Sequence, residues 1–349
     1  MVTLQALLGT ELPLIQAPMA GVQGSALAIA VSNAGGLGSL PCAMLSLEAL
    51  RNELVALRAG TRRPYNVNFF CHTHPLPDAA RDAAWRDALA PYYREFGLDA
   101  SNLPTGAARV PFGRESAELL SEFKPAVVSF HFGLPSDELL AHVRSWGAKV
   151  LSSATTVDEA LWLQARSVDA IIAQGLEAGG HRGHFLRDDL TAQMGTFALL
   201  PQIVRAVSVP VIAAGGIADA RGVAAAQTLG AAGVQVGTAY MLCTESTTSG
   251  LHRAALQSET ARHTALTNLF TGRPARGIVN RAMRELGPLS AVAPAFPLAA
   301  NAMAPLRAAA EARGSGDFSP LWSGQNADGC KAVPAAQLTR ELMAGWARR

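Results

Sequence analysis

Two glycine turns stand about one strand–helix unit apart late in the chain: Ala-Ala-Gly-Gly-Ile at 213–217 and Gln-Val-Gly-Thr at 235–238. Each closes a short apolar run, and a helix start follows the first turn at Asp219. Glycine lets backbone come close to a ligand, and a helix N-terminus offers free N–H groups at a positive dipole end. Such turns in succession suit a phosphate group. Other apolar runs end in polar residues of a different kind: Gln16, Asn66 and Asn68, Ser129 and His131, and Gln174. The last of these leads into a loop carrying Glu177, two glycines, His181, Arg182 and His184. None of these ends carries an acidic cluster of the kind that holds a metal. Amides, backbone N–H groups and histidines suit instead a flat heteroaromatic ligand with carbonyl and N–H edges.

These residues need a scaffold that brings several strand ends together. Eight apolar runs read as strands, at 13–18, 36–40, 65–70, 126–131, 149–153, 170–174, 210–214 and 233–237. Most are rich in Val and Ile without strict alternation, as in strands buried on both faces. Helical patterns alternate with them at 25–33, 46–58, 116–123, 136–146, 157–165, 196–207 and 220–228. Start signals such as Ser136-Asp137-Glu138 and Thr156-Val157-Asp158-Glu159 mark several of these. Eight such units predict an α/β fold, a closed (β/α)8 TIM barrel, rather than an open sheet. Barrel active sites lie at the C-terminal ends of the strands, and the turns after strands 7 and 8 form the phosphate cradle. A flavin fits the polar strand ends, and the cradle then favours FMN. Two segments break the repeat. Residues 71–114 form an insertion whose Trp85, Leu89, Tyr92 and Phe96 mark an amphipathic helix. Beyond 242 the pattern turns helical. The expected organisation is a barrel over 1–242 with the 71–114 insertion, a smaller and mainly helical cap over 243–330, and a helix in 331–349 returning to the barrel.

Composition narrows the function classes. The chain has 349 residues, 49% of them hydrophobic and 16% charged, enough for a large core. A net charge of +2 argues against nucleic acid or a membrane surface as partner. No signal peptide and no membrane-spanning run is read. The four cysteines, Cys42, Cys71, Cys243 and Cys330, are widely spaced without a CxxC pair. That favours reduced thiols in the cytoplasm and no metal site. Oligomeric state stays open, a homodimer among the options.

Seven segments in order carry a family resemblance: IQAPMAG at 15–21, VNFF at 67–70, SFHFG at 129–133, QGLEAGGHRG at 174–183, PVIAAGGI at 210–217, VQVGTAY at 234–240 and LWSGQNA at 321–327. Together they resemble the nitronate monooxygenases, over roughly 12–330. The resemblance implies an FMN-containing barrel with a helical cap. It would oxidise alkyl nitronates, propionate 3-nitronate among them, with O2 to carbonyl compounds and nitrite or nitrate, via a flavin semiquinone. It implies flavin contacts from Ala17, Met19, Asn68 and Gln174. The phosphate would lie on Gly179, Gly215, Gly216 and the Gln235, Val236, Gly237, Thr238 turn. His131 and His181 would face the substrate side. A nitronate is already an anion and needs a hydrogen-bond donor rather than a base, so His181 is expected to position its oxygens, with His131 second. A neutral nitroalkane would need a histidine as base.

Other readings stay open. IQAPMAG and EAGGHRG also recur in flavin-dependent enoyl reductases and quinone reductases, so an NAD(P)H-dependent flavin reductase is one alternative. A flavin- or phosphate-binding protein without turnover is another. Residue by residue, His131 can be a satisfied core histidine, and Asn68 and Gln174 can cap strand-end carbonyls. Met19 can be packing, and Glu177 structural. Arg182 can favour an anionic substrate or be solvated. His72 and His74 read as a solvated loop rather than a metal pair, and Trp322, Ser323 and Gln325 can simply anchor the tail.

Overall fold

The apolar runs fold as strands because each buries both of its faces. The structure, a computed structural model, describes residues 2–99, 103 and 109–347. The remaining positions of the 71–114 insertion and of the 331–349 tail lie outside them. In chain order the strands of the described residues are β1 (Leu14–Gln16), β2 (Gly38–Pro41), β3 (Tyr65–Phe70), β4 (Val127–His131), β5 (Lys149–Ala154), β6 (Ala170–Gln174), β7 (Gly180–His181), β8 (Val211–Ala214), β9 (Gly233–Val236), β10 (Thr264–Thr267) and β11 (Ala275–Ile278). Eight of them form one parallel sheet in the order β1-β9-β8-β6-β5-β4-β3-β2. Its two edges meet where Ile15 bridges Leu37. There Gln16 N–H donates to Leu37 O at 2.9 Å and Leu37 N–H to Leu14 O at 2.8 Å. The sheet is thus closed into the expected TIM barrel.

The alternation of side chains along a strand sorts the barrel interior by height. Its lower end is apolar: Ile15, Leu37, Val127, Leu151, Ile172 and Ile212 pack with Leu4 and Leu8 of the N-terminal helix Leu4–Leu8. Two residues further up the same strands the inward positions turn polar, as Ser129, Ser153 and Gln174. On β3 the polar layer is Asn66 and then Asn68. Asn66 Nδ2 donates to Ser39 Oγ at 3.0 Å and Ser129 Oγ at 2.9 Å. The outward faces join the helices in the main core, with Val67, Val128, Phe130, Val150 and Ile171 fully buried. Start signals read from sequence become side-chain caps: Ser136 Oγ accepts from Leu139 N and Thr156 Oγ1 from Glu159 N.

The helix Ala335–Met343 packs against both Ser25–Asn33 and Ala220–Thr228. It fills the place between the first and last barrel helices, so the cap is inserted between β9 and the eighth helix. Two features of that cap go beyond the sequence reading. The insertion helix Ala79–Phe96 packs on the cap helix Ala299–Ala312, with Trp85 Nε1–H donating to Ala299 O at 3.3 Å and Tyr93 O–H to Ala302 O at 2.6 Å. Its Trp85, Leu89 and Tyr93 share one apolar cluster with Leu306 and Phe318. The cap also carries strands: β10 and β11 form an antiparallel sheet that takes in β7 from the barrel loop. The short segments TALT and ARGI have neither the length nor the alternation to declare themselves as strands.

Candidate active site

A cavity opens at the C-terminal ends of the strands, beneath the cap. On one side lie the glycine turns. Gly215 and Gly216 have φ of +112° and +72°, backbone that favours glycine. A Cβ on Gly215 would stand 2.9 Å from Thr196 Oγ1, and one on Gly179 would stand 2.5 Å from Gly324 N. The turns are therefore packed closely from behind while their front lines the cavity, together with Gly237 and Thr238. Glu177 holds this arrangement: its carboxylate accepts from Thr196 N at 2.7 Å and Thr196 Oγ1 at 2.9 Å, completing the N-terminus of the helix Thr196–Ala206. Asn326 Nδ2 donates to Gly216 O at 3.1 Å, and Gly324 N–H to Thr238 Oγ1 at 3.0 Å, so the WSGQN tail braces both turns.

The flavin, phosphate and substrate-side residues expected from the resemblance line this cavity, with one exception. Ala17, Met19, Asn68, Gln174, Gly179, Gln235, His131 and His181 all line the cavity. Val236 does not: its side chain packs in the main core, and its carbonyl accepts from Ala17 N at 2.8 Å. Alternation along β9 sends Val236 outward between the inward-facing Gln235 and Gly237. Gln235 Oε1 is buried without a partner, which costs stability unless a ligand donor meets it. Asn68 Nδ2 donates to Ser129 Oγ at 2.8 Å. Gln174 is spent on the loop: its Nε2 donates to His181 O at 2.9 Å and its Oε1 accepts from Gly183 N at 2.7 Å.

The two histidines take different parts. His131 Nε2 lies 3.2 Å from His181 O and its Nδ1 lies 3.0 Å from Ser153 Oγ. A carbonyl only accepts, so the proton sits on Nε2 and Nδ1 accepts from the serine. Both nitrogens are thus engaged within the protein, and His131 braces the backbone of His181. Burial pushes its pKa down to about 3. His181 sits on β7, paired with Ala275 of β11, and its Nε2 is 2.9 Å from Thr271 Oγ1. Burial first, then Arg109 and other nearby cations, holds it well below the ordinary imidazole range. Rings of Phe296 and Trp322 pack on it with centroids at 5.3 and 5.6 Å.

The field around His181 is cationic. Arg109 lines the cavity, stacks on Phe296 with its guanidinium carbon 5.4 Å from the ring centre, and has a buried Nη1 without a partner. Arg273 stacks on Phe132 at 4.2 Å, and burial lowers its pKa to about 10. No aspartate or glutamate is among the described residues lining the cavity. Arg182, next to His181 in sequence, faces away from the cavity. It is fully buried and donates to Gly175 O at 2.6 Å, Gln174 O at 2.8 Å and Gln193 Oε1 at 2.9 Å. It builds the loop and does not meet a substrate. His72 and His74 meet edge to face with centroids 5.7 Å apart, and among the described residues no group of three ligands could hold a metal.

Sequence reasoning missed Phe70, Arg109, Ser153, Thr271 and Phe296. Phe70 and Ser153 carried a signal, being the next inward positions after Asn68 and Leu151. Arg109, Thr271 and Phe296 carried none, since they come from the insertion and the cap.

A closed (β/α)8 barrel with glycine turns, polar strand ends and a cap over the mouth defines a TIM-barrel enzyme of the capped kind. The model of the nitronate monooxygenase family matches residues 2–345, and the chain belongs to that family of oxidoreductases. It is 43% identical to a nitronate monooxygenase of Paraburkholderia phytofirmans over 342 residues, covering 96% of this chain and 92% of the relative. It is likewise 43% identical to one of Pseudomonas aeruginosa, covering 97% of each. Among solved structures it is similar to nitroalkane oxidase from Streptomyces ansochromogenes, with TM-score 0.87, 38% identity and coverage of 98% and 97%. FabK from Thermotoga maritima is more distant, with TM-score 0.72, 26% identity and coverage of 99% and 96%.

Proposed function

We propose that this chain is an FMN-dependent nitronate monooxygenase, oxidising alkyl nitronates with O2 to carbonyl compounds and nitrite or nitrate. One observation carries the reading: a single cavity joins the glycine turns to a wall without carboxylates that Arg109 makes cationic beside the neutral His181. Gly179, Gly215, Gly216, Gly237 and Thr238 would hold the phosphate of FMN, and the orphaned Gln235 Oε1 would accept from a hydroxyl or a ring N–H of the cofactor. Asn68 and the rest of the strand-end layer would meet the ring. When bound, FMN supplies the redox chemistry, accepting electrons from the substrate and passing them to O2. The protein supplies binding and orientation. Arg109 offers a charged donor to the nitronate oxygens, and the field of Arg273 favours an anion over its neutral acid. Phe70 and Trp322 would wall the site against water, with Phe296 packed behind His181 and Arg109. The same charges suit a nitronate with a second anionic group, propionate 3-nitronate among them.

A cytoplasmic setting is supported by the four free cysteines and by the absence, among the described residues, of a helix long and apolar enough to cross a membrane. A homodimer is the assembly to test by light scattering. The segments IQAPMAG and EAGGHRG, which recur in flavin-dependent reductases, favour a second reading, a flavin reductase using NAD(P)H. Anaerobic spectra of the purified protein distinguish the two. Bleaching of the flavin by a nitronate, with NADH inert, is the expected result. Bleaching by NADH without response to nitronate overturns the proposal. Release of the flavin by denaturation and its chromatography identify the cofactor.

A further inference from the structure

We propose that Thr271 is a positioning residue: its hydroxyl fixes the tautomer of His181 so that Nδ1 faces the cavity as a proton acceptor. The inference rests on the reading of the site given above and assigns a part to a residue of the cap.

The hydroxyl of Thr271 has one proton and two neighbours, His181 Nε2 at 2.9 Å and Arg273 O at 3.4 Å. The carbonyl can only accept, and no other donor reaches it among the described residues. Donation to Arg273 O leaves Thr271 Oγ1 to accept from His181, so the imidazole proton sits on Nε2. Nδ1 then carries the lone pair and has no protein partner. Thr271 itself cannot drift. It is 2% exposed, and it is followed by Gly272 at φ +89°, where a Cβ would stand 2.1 Å from Pro294 O. The turn is therefore seated on the backbone that leads into Phe296, whose ring packs on His181. Behind the imidazole, His181 O is held by His131 Nε2 at 3.2 Å and Gln174 Nε2 at 2.9 Å. Ring and backbone are both fixed, and one nitrogen is left free.

The charged and titratable groups around His181 are Arg109, Arg273, His131 and His72, all cationic or neutral. Burial first, and then these charges, keep the imidazole neutral, so Nδ1 is an acceptor and not a donor to a nitronate that arrives already ionised. A substrate that still carries its α-proton is different. In a neutral nitroalkane the proton on the carbon bearing the nitro group passes to Nδ1. The C–H electron pair stays on the substrate and becomes the carbon–nitrogen double bond of the nitronate anion, beside the imidazolium. Anion and cation arise together, so the arginines that disfavour the imidazolium favour the nitronate formed next to it. Nε2–H keeps its bond to Thr271 throughout. Thr271 thus bears on neutral nitroalkanes and not on preformed nitronates.

The test compares the flavin-loaded wild type with Thr271→Val and Thr271→Ser. Two-bond ¹H–¹⁵N correlation spectra report the tautomer of His181, its signals being those lost in His181→Gln. Steady-state assays give the ratio of kcat/KM for a nitroalkane to that for its nitronate. We expect the Nε2–H form in the wild type and a mixture in Thr271→Val. In that variant the ratio should fall by about 10–100-fold, as when an outer partner orienting a histidine is lost. Thr271→Ser, which keeps the hydroxyl, should restore it to within about threefold. A proton on Nδ1 in the wild type, or an unchanged ratio in Thr271→Val, overturns the assignment. If the wild type oxidises neither substrate, the functional reading fails, and the spectra still decide the tautomer.

Discussion

Lowering the pH from 7 to 5 should cost stability, because buried histidines that stay neutral in the fold become charged in the unfolded chain, and for four of them the amount is calculable. Burial is the main cause in each case. It takes His131 down to about 3 and His72, His184 and His252 down to about 4, from an ordinary 6.5. Because the folded values lie below the unfolded one, the contribution is complete above about pH 6.5 and is lost as pH falls toward the folded values. At pH 5 the unfolded chain is protonated at each site and the folded chain is not. The difference of about 1.5 pH units costs about 2 kcal/mol per histidine, and about 8 kcal/mol for the four. A domain has about 5–15 kcal/mol in total, so the protein should approach unfolding near pH 5, before its carboxylates titrate. Urea denaturation at pH 7, 6, 5.5 and 5 measures this. A variant isolates one site. His252 Nε2–H donates to Trp322 O at 3.0 Å, outside the cavity lining, and the amide of His252→Gln can make the same bond. That variant should lose about 2 kcal/mol less than the wild type between pH 7 and 5. Stability that stays level from pH 7 to 5, or an equal loss in the variant, would refute the argument that burial holds these rings neutral.

Three further outcomes follow from particular contacts. Gly272→Ala places a methyl 2.1 Å from Pro294 O at positive φ, and should cost about 3 kcal/mol or more by thermal or urea unfolding, with the cap loosened. Gln235→Leu removes a buried atom with no protein partner. The apoprotein should be no less stable, gaining up to about 1 kcal/mol, while flavin affinity falls by about tenfold in a fluorescence titration. Arg109→Gln removes the charged donor that faces the cavity, and KM for a nitronate should rise by about 10–100-fold with a smaller change in kcat. An unchanged KM would remove Arg109 from the substrate wall.

The barrel was legible because its information is local. A parallel strand buried on both faces must be a short apolar run, and the run must end in a turn that glycine or a cap residue can make. Val211–Ala214 followed by Gly215 and Gly216 shows both in a few residues. Strand ends were legible for a related reason: one face of each strand continues upward from apolar to polar, as Val127, Ser129 and His131 do along β4. Along β9 the same alternation turns Gln235 into the cavity and sends Val236, of opposite parity, into the core. Arg182 misled because a charged residue in a glycine-rich loop reads as solvated. Its neighbours, Gln174 O, Gly175 O and Gln193 Oε1, become visible only when the loop folds back on the strand.

By itself the sequence determined the eight strands, the glycine turns and the loop that carries His181, since each depends on burial and backbone freedom within about ten residues. Only the tertiary structure decided what the histidine packs against. Thr271 lies 90 positions from His181, and Phe296 and Trp322 are further still. The insertion helix reaches the cap across 214 positions, from Trp85 to Ala299. No periodicity encodes such contacts, because hydrophobic pattern specifies which face is buried and not what it is buried against. Closing the barrel and docking the cap bring these groups together, and that packing sets which side chains surround His181.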